Sequence, residues 1–360
     1  MSPANSKKIR LAINGFGRIG RAAFKVAVEN PHIDIVAIND LVPKESLIYL
    51  LKYDTAYGPY PHEVTATKDG FKIDKEEVQS FSIPELEKLP WKDLDIDVVI
   101  ECTGVFTEYD KAKLHVEKAG AKHVIISAAT KDEEINTFVQ GVNADDFDAS
   151  KDIVSSLASC TTNCITPVTE IIHRELGIAK SYMTTIHAYT STQALVDGPH
   201  KKDPRRGRAA AANIIPTSTS AAIATTKVIK ELEGMFQGVA LRVPVITGSI
   251  SDMTFIVKKK TTKEKVNKIL KMNANSPRYK GILGYSEDPL VSSDIIGRSE
   301  SSIVDSTLTD VVQDDLVKVY SWYDNEWGYS NRLIDQAVQI GTGKPANGNG
   351  IDYQNTLVKK

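Results

Sequence analysis

Residues 8–14, KIRLAIN, form a short apolar run, and after a glycine turn RAAFKVAVENP (21–31) carries apolar positions at helical spacing until Pro31 stops it. A second apolar run, IDIVAIND, follows at 33–40. Strand, turn, helix and strand within about thirty residues predict a βαβ unit, whose parallel strands need the crossover helix. The pattern continues with ESLIYLLKYD as a helix, VTATKDGFKI as a hairpin around Asp69-Gly70, and DVVIECTG as a buried strand. KAKLHVEKAG (111–120) then reads as one helix ending at Gly120, and HVIISAAT as another strand. This is the pattern of an α/β protein with a Rossmann-type doubly wound parallel sheet over residues 1–158.

Beyond SCTTNC (159–164) the texture changes. One helix, CITPVTEIIHRELG, precedes the long strand-like runs SYMTTIHAY, GVALRVPVI, SISDMTFIVKKK and LVKVYSWYD, with few helices between them. Alternating, aromatic-rich segments of this kind predict a second, α+β catalytic domain at 159–325 with a mostly antiparallel sheet. A last helix at about 326–342 is expected to pack back on the first domain. The Gly/Asn/Pro-rich residues 343–360 are expected to form a flexible tail.

Composition narrows the function. A chain of 360 residues with 41% apolar and 25% charged residues can fill two ordinary cores. The formal charge of -2 gives no basic excess for a phosphate backbone, so no nucleic-acid partner is expected. No signal-like stretch or run of about 18 apolar residues occurs, so no membrane is expected and the reading is cytoplasmic. The odd count of 3 cysteines argues for reduced thiols rather than a disulfide framework.

Gly15, Gly17 and Gly20, in GFGRIG, match GxGxxG between a strand and a helix. Glycines there permit a tight turn and close backbone approach, and free N–H groups at the helix start attract a pyrophosphate. The second strand ends twenty residues later in Asn39-Asp40. Asp40 can accept from ribose hydroxyls and repel a 2′-phosphate, favouring NAD over NADP, though an acid there also suits a turn or helix cap. Thr103 and Ser127 lie at later strand ends, where a ligand crevice opens and turn formers are equally at home.

Cys160 and Cys164 are four apart at a helix start, and with no second cysteine pair or nearby histidine they do not complete a metal site; none is expected. A thiol in the first turn sits at the positive end of the helix dipole, which favours thiolate, so Cys160 is the candidate nucleophile and Cys164 a bystander. Of the 7 histidines, His187 ends a strand amid hydroxyl-bearing residues and is the favoured base, a structural histidine being the alternative. The loop HKKDPRRGR (200–208) reads as a solvated charge run or as arginines that hold a phosphate. Thr219 and Arg242 are further candidate phosphate ligands.

INGFGRIGR, VAIND, ECTGVF, ASCTTNC, TTIHAYT, RRGRAAA, NIIPTSTSAA, LRVP and WYDNEWGYSNR, in this order, resemble the phosphorylating, glycolytic glyceraldehyde-3-phosphate dehydrogenases. The resemblance runs from about residue 8 to 341. It implies an NAD-dependent enzyme that converts glyceraldehyde 3-phosphate and inorganic phosphate to 1,3-bisphosphoglycerate through a cysteine thiohemiacetal and thioester. Cys160 would be the nucleophile and His187 its base. Ser159, Thr161, Thr190, Arg206, Thr219, Ser220 and Arg242 would hold the two phosphates. Arg18, Ile19, Asp40, Ser127 and Asn325 would contact NAD, with Tyr329 beside the nicotinamide. The loop carrying RRGR would reach a neighbouring cofactor in a homotetramer.

The chain departs from the family pattern in three places. Ser220 and Ile223 stand where the family has glycine and lysine, one residue is inserted near Lys202, and Gly198-Pro199 is only part of the NAD-type pair. Rival readings are a sugar-phosphate dehydrogenase acting on erythrose 4-phosphate or hydrolysing the thioester, a nucleotide-binding regulator without turnover, and a cysteine hydrolase. The glycine fingerprint speaks against the last.

Overall fold

The computed structural model of the chain describes residues 7–344. Beyond Gly343 and Lys344, the expected tail lies outside the described residues. Two compact units are present: one comprises the residues up to Phe138, Ala144–Ala158 and the residues from Ser330 on, the other Val139–Asn143 and Ser159–Tyr329.

The first unit is built on a nine-stranded sheet. Its strands run, in order, Asn136–Thr137, Val154–Ser156, His123–Ile126, Val98–Glu101, Ile9–Asn14, Ile33–Asn39, Glu76–Phe81, Gly70–Ile73 and Val64–Ala66. Neighbours are parallel from Asn136–Thr137 through Glu76–Phe81, and the last two strands add an antiparallel edge. Val98–Glu101 is buried throughout, as a strand covered on both faces must be. The hairpin at Asp69-Gly70 forms as expected. A side chain at Gly70 would place its Cβ 1.9 Å from the Val78 carbonyl, so the register admits only glycine there.

Two features differ from the sequence reading. Residues 111–120 do not make one helix but the short helices Tyr109–Ala112 and Leu114–Glu117, broken at Lys113. His115 is wholly buried and bonded to other elements, and that tertiary demand overrides helical periodicity. The strand Glu76–Phe81 was hidden because Glu76 and Glu77 are exposed and break the apolar run.

The second unit carries a seven-stranded sheet, ordered Ile215–Ser218, Phe236–Val243, Ile178–Ala188, Ser249–Val257, Leu316–Tyr323, Ser302–Val312 and Leu283–Ser286. Most pairs are antiparallel; Ile178–Ala188 with Phe236–Val243, and Leu283–Ser286 with Ser302–Val312, are parallel. Along Leu316–Tyr323 every second residue is buried, the alternation of a sheet with one covered face. The core joins Ile165, Val168 and Ile172 of the Cys160–Leu176 helix to Met183, Met253, Phe255 and Val319 of the sheet. The helix Ala221–Val228 follows the helix start expected at Thr219, whereas Lys263–Ala274 was not expected from the sequence.

The last helix spans Trp327–Thr342. Asp324 starts it by accepting from the backbone N–H groups of Glu326 and Trp327, both at 2.9 Å. Farther along, Gln339 donates to the Ala144 carbonyl at 2.6 Å, and a Cβ on Gly341 would lie 2.3 Å from Ile9.

Candidate active site

In the first unit the strand order reverses between Ile9–Asn14 and Val98–Glu101, and an open α/β sheet places its ligand crevice beyond the carboxyl ends at such a point. Gly15 leaves the first strand at φ +92°, and a Cβ on it would lie 2.7 Å from the Thr103 nitrogen. A Cβ on Gly20 would lie 2.1 Å from the Gly15 carbonyl. These glycines let turn, strand and helix meet with no slack. The Arg18–Val28 helix that follows has no acidic residue in its first turn, leaving its N-terminus favourable for an anion.

A cavity of about 410 Å³ opens here. Gly15, Gly17 and Asp40 line one part, and Leu41, Leu86 and Phe106 supply an apolar part suited to a flat base. The Asp40 carboxylate accepts from Phe16 N at 2.7 Å and Val42 N at 2.9 Å, so it shapes the turn while each oxygen keeps a lone pair. The residues present therefore fit an adenine dinucleotide.

Other candidates here face elsewhere or are already engaged. Both amide ends of Asn39 are used on Asn14 and on the Ile83 backbone. The Thr103 hydroxyl bonds Glu101 and Val105 N. Arg18 makes a 2.6 Å ion pair with Asp54 and lies over the Tyr57 ring. Burial alone would raise the Asp54 carboxyl, but Arg18 and Lys25 together hold it below its usual range. Ile19 is half-buried in the first helical turn. Ser127 hydrogen-bonds the Cys102 thiol, which burial pushes up to about 12 and so makes inert.

In the second unit Cys160 is the first residue of the Cys160–Leu176 helix. Ser159 caps that helix, its hydroxyl accepting from Thr162 N at 3.1 Å. Cys160 Sγ lies 3.5 Å from His187 Nε2. His187 and Arg242 are directly paired on adjacent parallel strands, which brings Arg242 Nη1 to 2.7 Å from His187 Nδ1. The Ala188 carbonyl lies 2.7 Å from Nδ1 and 3.1 Å from Nη1: the Nδ1–H tautomer donates to it and leaves Nε2 as an acceptor facing the sulfur, whereas in the other tautomer Nδ1 accepts from Nη1 and Nε2–H faces the sulfur.

Burial and the Arg242 charge lower the His187 pKa to about 3, so the imidazole is neutral. The thiol is not acidified as the helix-start position suggested. Burial raises it above the usual value, against the opposing pull of Arg242 and the first-turn donors. Cys164 is buried deeper and pushed up to about 12. All three cysteines are free thiols. Among the described residues no group of three or more histidine, cysteine, aspartate or glutamate side chains could hold a metal ion.

The structure thus joins Cys160, His187 and Arg242, with Arg206 close enough for its charge to act on Arg242. Arg242 Nε is buried without a hydrogen-bond partner among the described residues, as an anion-binding guanidinium would be. The other phosphate candidates have local partners. Thr190 bonds Thr192 and Gln193, Thr219 accepts from Ala221 N, and Ser220 is exposed and makes no cap bond. Ile223 is likewise exposed. Asn325 is buried and its Oδ1 accepts from Ser249 at 2.8 Å; Tyr329 is buried nearby in sequence.

One residue escaped the sequence reading. Tyr323 bridges Thr161 at 2.9 Å and Thr185 at 2.8 Å, and its ring meets that of His187 edge-on at 6.0 Å. The Thr161 hydroxyl is therefore held in place by Tyr323. Only the alternation of Leu316–Tyr323, which puts Tyr323 among the buried positions, could have signalled it.

Comparison with known proteins shows the family. Residues 9–109 match the family model for the glyceraldehyde 3-phosphate dehydrogenase NAD binding domain, and residues 159–325 match that for its C-terminal domain. The chain is 50% identical over 337 residues to the glyceraldehyde-3-phosphate dehydrogenase of Borreliella burgdorferi, covering 92% of this chain and 99% of that protein. It is 51% identical over 328 residues to the enzyme of that name from Thermotoga maritima, covering 91% and 97%. This chain belongs to the glyceraldehyde-3-phosphate dehydrogenase family. It is an oxidoreductase and its cofactor is NAD. No helix among the described residues is long and apolar enough to cross a membrane.

Proposed function

We propose that the chain oxidises glyceraldehyde 3-phosphate and captures inorganic phosphate, giving 1,3-bisphosphoglycerate as a step of glycolysis. The observation that carries this reading is the neutral His187 imidazole with Nε2 3.5 Å from Cys160 Sγ. As sulfur attacks the aldehyde carbon, its proton passes to Nε2 and returns to the carbonyl oxygen, leaving a thiohemiacetal on Cys160. NAD, when bound, supplies the hydride acceptor. His187 takes the hydroxyl proton as the hydride departs, and a thioester remains on Cys160. Phosphate then attacks the thioester carbon, the carbon–sulfur bond breaks, and the sulfur recovers its proton from His187. First-turn N–H groups of the Cys160–Leu176 helix stabilise the oxyanion formed on the way.

Arg242 and Arg206 would hold the phosphate charges, assisted by Ser159, Thr161, Thr190, Thr219 and Ser220, and remote anchoring would orient the carbonyl. Gly15, Gly17, Arg18, Ile19, Gly20, Asn39, Asp40, Thr103 and Ser127 would surround the adenosine and pyrophosphate, and Asn325 and Tyr329 the nicotinamide. The Asp40 charge would disfavour NADP. A homotetramer is supported by the exposure of Leu195, Val196 and Ile214, and a reducing cytoplasm suits the three free thiols.

NADH formation from glyceraldehyde 3-phosphate, with and without phosphate and with NADP substituted, tests the reading. Turnover should need phosphate and prefer NAD; equal rates without phosphate would indicate thioester hydrolysis instead. Cys160→Ser should abolish turnover and spare NAD binding. Sedimentation at four times the chain mass would support the tetramer, and a monomer would refute it.

A further inference from the structure

Behind the nucleotide cavity lies a buried polar chain that the proposed chemistry does not use. Glu101 is 1% exposed, and four donors point at its two oxygens. Oε1 accepts from Thr103 N at 2.7 Å and from the Thr103 hydroxyl. Oε2 accepts from Asn14 Nδ2 at 2.5 Å and faces His115 Nε2 at 3.1 Å. Among the described residues no lysine or arginine pairs with this carboxylate. The Trp91 indole N–H, 3.0 Å from His115 Nδ1, can only donate, so Nδ1 is the acceptor and Nε2–H is the donor to Glu101.

The two oxygens hold two neighbouring segments that line the cavity. Through Asn14 the chain runs to Asn39 at 2.8 Å and on to the Ile83 backbone. Through Thr103 it runs to Val105 N at 3.1 Å. Asn14, Asn39, Ile83, Thr103 and Val105 all line the cavity, whereas Glu101, His115 and Trp91 do not. A carboxylate buried without a cation is tolerable only while its donors stay in place, so both walls are tied to one group.

We propose that Glu101, oriented by His115 and Trp91, is a positioning residue that holds the Asn14 and Thr103 walls at the spacing NAD requires. This rests on the reading of the cavity as the adenosine site. Glu101→Gln keeps the shape but turns one oxygen into a donor. If the new NH2 faces Asn14 and His115, it meets two donors; if it faces Thr103, it meets the Thr103 backbone N–H. Either way one wall is released. Trp91→Phe keeps an aromatic ring in the core but removes the N–H that sets the His115 tautomer.

Calorimetric titration with NAD should show a Kd raised about tenfold for Glu101→Gln and about threefold for Trp91→Phe. The kcat at saturating NAD and the KM for aldehyde should stay within about twofold of wild type. An NAD affinity unchanged in a folded variant, with only the melting temperature lowered, would make the chain a structural feature alone and overturn the proposal. Should Glu101→Gln not fold, Trp91→Phe decides. Asp40→Ala separates the two readings: if it leaves NAD affinity unchanged, the cavity assignment fails, and if it weakens NAD while the other two variants do not, only this inference fails.

Discussion

Arg242 acts on two titrating groups at once, lowering the pKa of both His187 and Cys160. Removing its charge in Arg242→Gln should raise the thiol further, and iodoacetamide alkylation of Cys160 at pH 8 should slow several-fold against wild type. His187 supplies a stability prediction. An unfolded histidine titrates near 6.5, whereas the folded one is held at about 3, so between these values the unfolded chain binds a proton that the native fold refuses. His187 thus favours the native state least in acid, with stability falling as pH drops from about 6.5 towards 3. Urea unfolding at pH 7 and pH 4 should show a smaller loss for His187→Asn than for wild type. The candidate nucleophile and base were legible because ordered hydroxyl-rich motifs surround them, but the direction of the Cys160 shift was not. A helix start favours thiolate, yet burial opposes it, and burial is decided by chain segments distant in sequence.

At the scale of elements, the candidate residues of each unit hang on one helix start. Loss of the Ser159 cap in Ser159→Ala should cost about 1 kcal/mol of stability by urea titration. Because Cys160 is the next residue, kcat should fall with it. In the first unit Gly20→Ala would drive a methyl into the Gly15 carbonyl, which is backbone and cannot swing aside. NAD affinity by calorimetry should drop more than tenfold, and the melting temperature should fall as well. The leading βαβ unit could be read because its strands, turn and helix are specified by residues close in sequence. The segment 111–120 misled for the opposite reason: its helix is interrupted where His115 turns inward to Trp91 and Glu101, 24 and 14 residues away.

For the whole molecule, NAD should stabilise the first unit by linkage, about 2.7 kcal/mol at 100 times its Kd. Amide hydrogen exchange should therefore slow on adding NAD in the strands Ile9–Asn14 and Val98–Glu101, and should slow equally in Cys160→Ser. The order of motifs along the chain determined the α/β class and the NAD cofactor, and it singled out Cys160 and His187 as candidates. Those signals are local in sequence: a glycine spacing, an apolar period, a capped helix start. Tertiary structure alone decided that Arg242 sits against His187, that Tyr323 backs it, and that Glu101 bonds Asn14 and His115. Strand register and burial make those contacts, and both are set by packing between residues far apart in the chain, which no local pattern encodes.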